Sequence, residues 1–215
     1  FYAEGANFGD IDGDGSMDIV YGPFWYAGPD FKSQHTLYEP KAFNINGYSD
    51  NFFSYVEDLT GDGAADVLVL GFPGKEARLY VNPGKGVKDV KVWPMHHVAN
   101  MIDNESPEFV DVDGDGVKEI LCSREGRFGY YKPTKGKETE AWQWVPLTAS
   151  VGVQRFTHGL GLGDVDGDGK LDLLETQRWW KAPSEGTGEW TPHRFQIGGG
   201  GGAQYQQRFV AFGQV

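Results

Sequence analysis

The chain of 215 residues is 39% hydrophobic and 14% aromatic, enough apolar material for a packed core and too much for a disordered segment. Its formal net charge of −12 argues against nucleic acid or an anionic membrane as partner, and no apolar run approaches the roughly 20 residues that span a bilayer as a helix. The single Cys122 excludes an internal disulfide framework and reads as a small buried hydrophobe. The chain begins at Phe1 without a signal-like segment, so a processed product or a fragment is expected.

Taken in order, the chain repeats itself. A first acidic loop places Asp10, Asp12, Asp14, Ser16 and Asp18 at positions 1, 3, 5, 7 and 9, with glycines at 4 and 6. An apolar strand from Ile19 to Tyr21 follows, then the pair Trp25 and Tyr26, a turn at Pro29, and a fourth strand expected to open at Phe31. The second loop carries Asp58, Thr60, Asp62, Ala64 and Asp66, followed by Val67 to Leu70, Leu79 and Tyr80, Pro83 and Trp93. The third carries Asp111, Asp113, Asp115, Val117 and Glu119, followed by Ile120 to Cys122, Tyr130 and Tyr131, Pro133 and Trp142. The fourth carries Asp164, Asp166, Asp168, Lys170 and Asp172, followed by Leu173 and Leu174, Trp179 and Trp180, Pro183 and Trp190. The loops begin 48, 53 and 53 residues apart. An apolar segment before each loop supplies the remaining strand, and no helix is predicted anywhere. Four antiparallel strands per period of about 50 residues describe a β-propeller blade. The blades are expected at about 1–47, 48–100, 101–153 and 154–203. The run Gly198 to Ala203 looks like the approach to a fifth loop, and 204–215 like the start of an incomplete further blade.

The loops have the chemistry of a calcium site. Calcium takes six to eight oxygens at about 2.3–2.6 Å. Positions 1, 3, 5 and 9 offer side-chain oxygens, position 7 its carbonyl, and the two glycines let the backbone wrap an ion. Metal-free Asp-Gly turns are the competing explanation, but three or four carboxylates within nine residues repel unless a cation lies between them. Up to four calcium ions are expected, one per loop, and they would take the net charge from −12 to −4. Thr60 replaces an Asp, so loop two is expected to bind most weakly. Loops of this kind suit a calcium-rich medium, which points to an extracellular or periplasmic location.

These units resemble FG-GAP (VCBS) repeats, the calcium-loop blades of integrin α-subunit heads and of many secreted bacterial proteins. The stretches Gly71 to Lys75, Asn104 to Pro107 and Phe156 to Gly161 are further similar to a subgroup of secreted bacterial members. The resemblance implies an all-β propeller of four-stranded antiparallel blades. It further implies that the four blades are part of a larger, seven-bladed ring, with the remaining blades or another subunit expected to cover the open edges.

In such a blade the Asp loops share one face. The segments entering strand one and leaving strand two share the opposite face, near the axis. That face collects Glu105, Arg127, Arg155, His158 and Trp179 as candidate ligand contacts. His158 precedes Asp164 by the same six residues as Glu105 precedes Asp111 and Glu4 precedes Asp10. A second metal or a general acid–base group is expected at this register, His158 being the catalytic candidate and Glu105 its partner. His35, His96, His97 and His193 recur in the fourth strand and read as packing residues. The leading expectation is a secreted calcium-binding module recognising carbohydrate or protein. The resemblance also admits a propeller sugar lyase or dehydratase, and a structural cell-surface scaffold.

Overall fold

A computed structural model of the chain describes residues 1–184 and 188–194. The run 198–203 and the segment 204–215, read above as a fifth approach, lie outside the described residues.

Sixteen strands form four antiparallel sheets of four among the described residues, and each sheet runs in chain order. The first holds β1 (Ala6–Gly9), β2 (Asp18–Tyr21), β3 (Phe24–Ala27) and β4 (Ser33–Thr36). The second holds β5 (Phe53–Glu57), β6 (Asp66–Leu70), β7 (Lys75–Tyr80) and β8 (Met95–Ile102). The third holds β9 (Glu108–Val110), β10 (Glu119–Arg124), β11 (Arg127–Lys132) and β12 (Gln143–Pro146). The fourth holds β13 (Leu160–Gly163), β14 (Asp172–Glu175), β15 (Arg178–Lys181) and β16 (Thr191–Arg194). A single 3-10 turn, Val87–Asp89, is the one helical element among the described residues. This is the all-β blade architecture that the period predicts.

Each Asp loop joins strand one to strand two, and its ninth residue opens strand two. Asp18, Asp66, Glu119 and Asp172 thereby pair with Gly9, Glu57, Val110 and Gly163 across the first ladder. Strand two is the apolar spine of a blade. In β6 all five residues are buried, as befits a strand covered on both faces.

The described residues divide into two compact units: 1–102 with 133–142, and 103–132 with 143–184 and 188–194. In the first unit, Val20 and Trp25 of β2 and β3 pack with Val67, Val69, Tyr80 and Trp93. The approach is close: a Cβ on Gly9 would stand 2.4 Å from Val56 Cγ1, so β1 meets β5 only because that side chain is absent. In the second unit, Leu121, Phe128 and Tyr130 pack with Leu160, Leu173, Trp180 and Trp190.

One expectation needs correction. Phe31, Trp93, Trp142 and Trp190 do not open the fourth strands but precede them by one or two residues. The three tryptophans are buried, and the backbone N–H groups of Trp93 and Trp142 bond Leu37 and Val98. They plug the core before the strand begins. Phe31 instead takes a left-handed φ of 56° and is exposed. Cys122 is fully buried, and burial pushes its thiol well above its ordinary range.

Two of the fourth-strand histidines stack on a tryptophan of their own blade, while His97 is exposed. His35 stacks on Trp25 and His193 on Trp179, each at 4.3 Å between ring centroids.

Candidate metal centres and the opposite face

The four Asp loops share one hydrogen-bond frame. The first carboxylate accepts from the backbone N–H groups that follow it. Asp10 takes those of Gly13, Asp14 and Gly15; Asp58 those of Gly61, Asp62 and Gly63; Asp111 those of Gly114 and Gly116; Asp164 those of Gly167, Asp168 and Gly169. The fifth residue accepts from the N–H of the seventh, so Asp14, Asp62, Asp115 and Asp168 hold Ser16, Ala64, Val117 and Lys170. The ninth residue is wholly buried and accepts from the N–H of the second. The glycines make the wrap possible: Gly114 and Gly116 have φ of 76° and 89°, where a side chain would strain the backbone.

This frame brings carboxylates together. Loop three gathers Asp111, Asp113, Asp115 and Glu119, with one oxygen from each within 4.8 Å of the others. Loop one gathers Asp10, Asp12 and Asp18 in the same way, and loop four Asp164, Asp166 and Asp172. No such group forms at loop two among the described residues, where Thr60 stands between Asp58 and Asp62. The three gathered loops are arrangements that can hold a metal ion. Oxygen-only donor sets of this kind suit a hard cation. In loop three the fit has a further mark: Glu119 Oε1 is buried without a hydrogen-bond partner. Burial pushes the Glu119 carboxyl up to about 7, which a divalent ion would reverse.

Three lysines reach these loops, and the sequence reading missed all of them. Lys132 Nζ lies 2.5 Å from Asp113 and 2.6 Å from Asp115. Lys181 Nζ pairs with Asp166 and lies 2.6 Å from Asp168, and Lys88 Nζ lies 2.6 Å from Asp12. Asp115 and Asp168 are held below the usual carboxylate range, chiefly by these lysine contacts. Burial opposes the charge on Lys132, but the two aspartates more than offset it and raise its pKa. Lys132 and Lys181 were legible in principle, since each follows an aromatic pair at the end of strand three. Lys88 comes from the 3-10 turn of the next blade, and no local pattern announces it.

On the opposite end of the second unit, the segments entering β9 and β13 run side by side. His158 Nε2 lies 2.7 Å from Glu105 Oε2, both side chains being mostly buried. Arg155 Nε lies 2.8 Å from Asp103 Oδ1, and Glu105 N–H donates to the Thr157 carbonyl. A cleft beside them is lined by Gln154, Thr157, Glu175, Gln177 and Arg178, with Phe128 at its apolar wall. Glu175 Oε1 and Arg178 Nε form a 2.5 Å ion pair there, and the Arg178 guanidinium lies over Trp180.

Of the residues expected on this face, Glu105 and His158 are thus brought together, while Arg155 pairs with Asp103. Arg127 is exposed at the start of β11. Trp179 is half-buried against His193, which covers one face of its ring. In the first unit, the Glu4 carboxylate accepts from the backbone N–H and hydroxyl of Ser49. Among the described residues, His158 belongs to no group of three or more gathered metal ligands. Asp103 and Gln154, in loops, and Glu175, at the end of β14, had no signal in the sequence.

No curated protein matches the chain. Among solved structures, the Vibrio cholerae biofilm matrix protein Bap1 aligns over 84% of this chain with 19% identity and a TM-score of 0.42. The alignment takes in only 24% of the Bap1 chain. A family model described as FG-GAP-like repeat matches residues 58–122 and 111–175, together more than half of the sequence. Each match begins at the first residue of an Asp loop and ends in the strand after the next one. The chain therefore belongs to the FG-GAP-like repeat family.

Proposed function

We propose that this chain is a calcium-binding array of propeller blades that works outside the cytoplasm as an interaction module. Its loops carry the ions, and the end of blades three and four opposite the loops carries the ligand surface. The observation that supports the reading best is loop three, where four carboxylates converge on one point. Calcium rather than zinc suits donor sets made only of oxygen. Magnesium is disfavoured because it asks for rigid octahedral geometry and keeps most of its waters. Binding of moderate affinity belongs in a medium where calcium is plentiful, extracellular or periplasmic. No helix among the described residues is long and apolar enough to cross a membrane.

The ligand surface pairs the Glu105–His158 and Arg155–Asp103 contacts with the cleft at Gln154, Thr157 and Gln177. Its charges are matched within the protein, so an ionic ligand would have to break a pair. A neutral hydroxyl-rich ligand can donate and accept at once, which favours carbohydrate.

Calorimetric titration of chelator-treated protein with calcium, followed by a glycan array with and without calcium, tests both parts. Calcium uptake with glycan capture that fails in His158→Ala is the expected result. Absence of calcium uptake would overturn the loop assignment. Capture unaffected by His158→Ala would move the ligand elsewhere.

A second reading, a sugar lyase or dehydratase, draws on the 2.7 Å His158–Glu105 contact, which suits a general base held in orientation by a carboxylate. Release of an unsaturated product from uronate-containing polysaccharides would favour it over simple binding.

A further inference from the structure

Loop three uses its ninth residue differently from the other three. In loops one, two and four both oxygens of that residue are occupied. One accepts the N–H of the second loop residue: Asp18 from Ile11 at 2.7 Å, Asp66 from Leu59 at 3.0 Å, Asp172 from Val165 at 3.0 Å. The other accepts an N–H from just past strand three: Gly28 at 2.8 Å, Asn82 at 2.8 Å, Ala182 at 2.9 Å. In loop three Glu119 Oε2 accepts from Val112 at 2.8 Å, but Oε1 accepts nothing. The residue following Lys132, equivalent to those three donors, is Pro133, which has no N–H.

A buried carboxylate oxygen without a donor is costly, and a cation is what relieves it. The Lys132 ammonium stands 3.6 Å from Oε1, beyond hydrogen-bond distance, while held at 2.5 and 2.6 Å by Asp113 and Asp115. It is a compact charge on a flexible stem at the end of β11, with a path to solvent. Ala27 and Val81 occupy this place in blades one and two. Lys181 occupies it in blade four, where both oxygens of Asp172 are already engaged.

We propose that Lys132 is a displaceable stand-in for a divalent cation in loop three. Without the ion, the ammonium neutralises Asp113 and Asp115 and keeps the loop in shape. When the ion enters, Lys132 swings out to water and Glu119 Oε1 becomes a ligand. The side chain of one residue outside the nine-residue loop therefore sets its affinity. Lys181 exchanges with less gain, because Asp172 has no idle oxygen to contribute. This rests on the cation reading of the loops, and the test separates the two.

The test uses the full chain, chelator-treated, with terbium luminescence and calcium calorimetry for binding and melting for the apo fold. Lys132→Met is expected to tighten one calcium site about tenfold and to lower the melting point without metal. Glu119→Gln is expected to weaken one site at least tenfold while leaving the apo melting point unchanged or higher. Its amide oxygen can still accept the Val112 N–H, so it carries the test should Lys132→Met fail to fold. Calcium binding by the wild type with affinity and apo melting both unmoved by Lys132→Met would overturn the exchange alone. Unchanged affinity in Glu119→Gln would do the same. No binding by either wild type or Lys132→Met would overturn the cation reading with it.

Discussion

Loops two and three have the same backbone and different prospects. Both wrap the first aspartate with following N–H groups, both turn on two left-handed glycines, and both bury the ninth carboxylate. They differ at the third residue, Thr60 against Asp113, and in the surroundings of the ninth. Asn82 N–H occupies Asp66 Oδ1, whereas Glu119 Oε1 is idle. A cradle and a cation site are therefore separable: backbone hydrogen bonds build the first, and the carboxylates gathered beside it decide the second. Loop two is a well-formed turn held together from within. Loop three has more charge than its backbone can use.

Chelation draws the comparison on the largest scale. A saturated site adds about 2.7 kcal/mol at a hundredfold excess over Kd. Removing calcium should then lower the melting point by about 5–10 °C for each site lost. Scanning calorimetry with calcium and with chelator measures it, and coincident curves would leave all four loops as metal-free turns.

Asp58→Ala and Asp111→Ala should both destabilise by about 2–3 kcal/mol in chelator, because each strips an acceptor from several backbone donors. Urea melts in chelator are the check. Equal losses would locate the shared cradle in the first aspartate; a loss confined to one loop would mean that the backbone cradle is not shared.

Thr60→Asp should give loop two a third-position carboxylate and raise its calcium affinity about tenfold, while the added repulsion lowers the melting point of the apo protein. A titration that gains no additional or tighter site would mean that Asn82 and the occupied Asp66, rather than Thr60, disable loop two.

The smallest effect concerns the strands before the loops. Blade two places Tyr55 opposite Leu68, where blade three places Glu108 opposite Leu121. Burial pushes Glu108 up to about 7. The folded state therefore prefers the protonated acid. That preference is fully present below the free value of about 4.5 and is lost as pH rises to about 7. Glu108→Gln should match the wild type near pH 4 and exceed it above pH 7, by about 1 kcal/mol after solvent screening. Melting points in chelator across that window test it; a constant difference would place the strain elsewhere.

Much of this was legible in local sequence. The period of about 50, the four strands of each blade and the oxygen-rich loops all follow from patterns a few residues long. Nine consecutive residues contain both the glycines that permit the turn and the carboxylates that crowd it, so no distant contact is needed to recognise them. The pairing of His158 with Glu105 was suggested by equal register, since two segments entering adjacent strands at the same offset come side by side.

What the sequence could not tell was how each polar atom is used. Lys88 reaches Asp12 from 76 residues away, and Arg155 meets Asp103 from 52 away. Trp179 looked available for a ligand until His193 was found against it. Glu119 and Asp172 occupy the same position in the repeat; Pro133 in place of Ala182 is the sequence difference, and packing shows that it leaves one oxygen idle. A repeat pattern determines which strand or face a residue belongs to. Which lone pair is filled depends on donors brought in by other strands, and only the folded chain decides that.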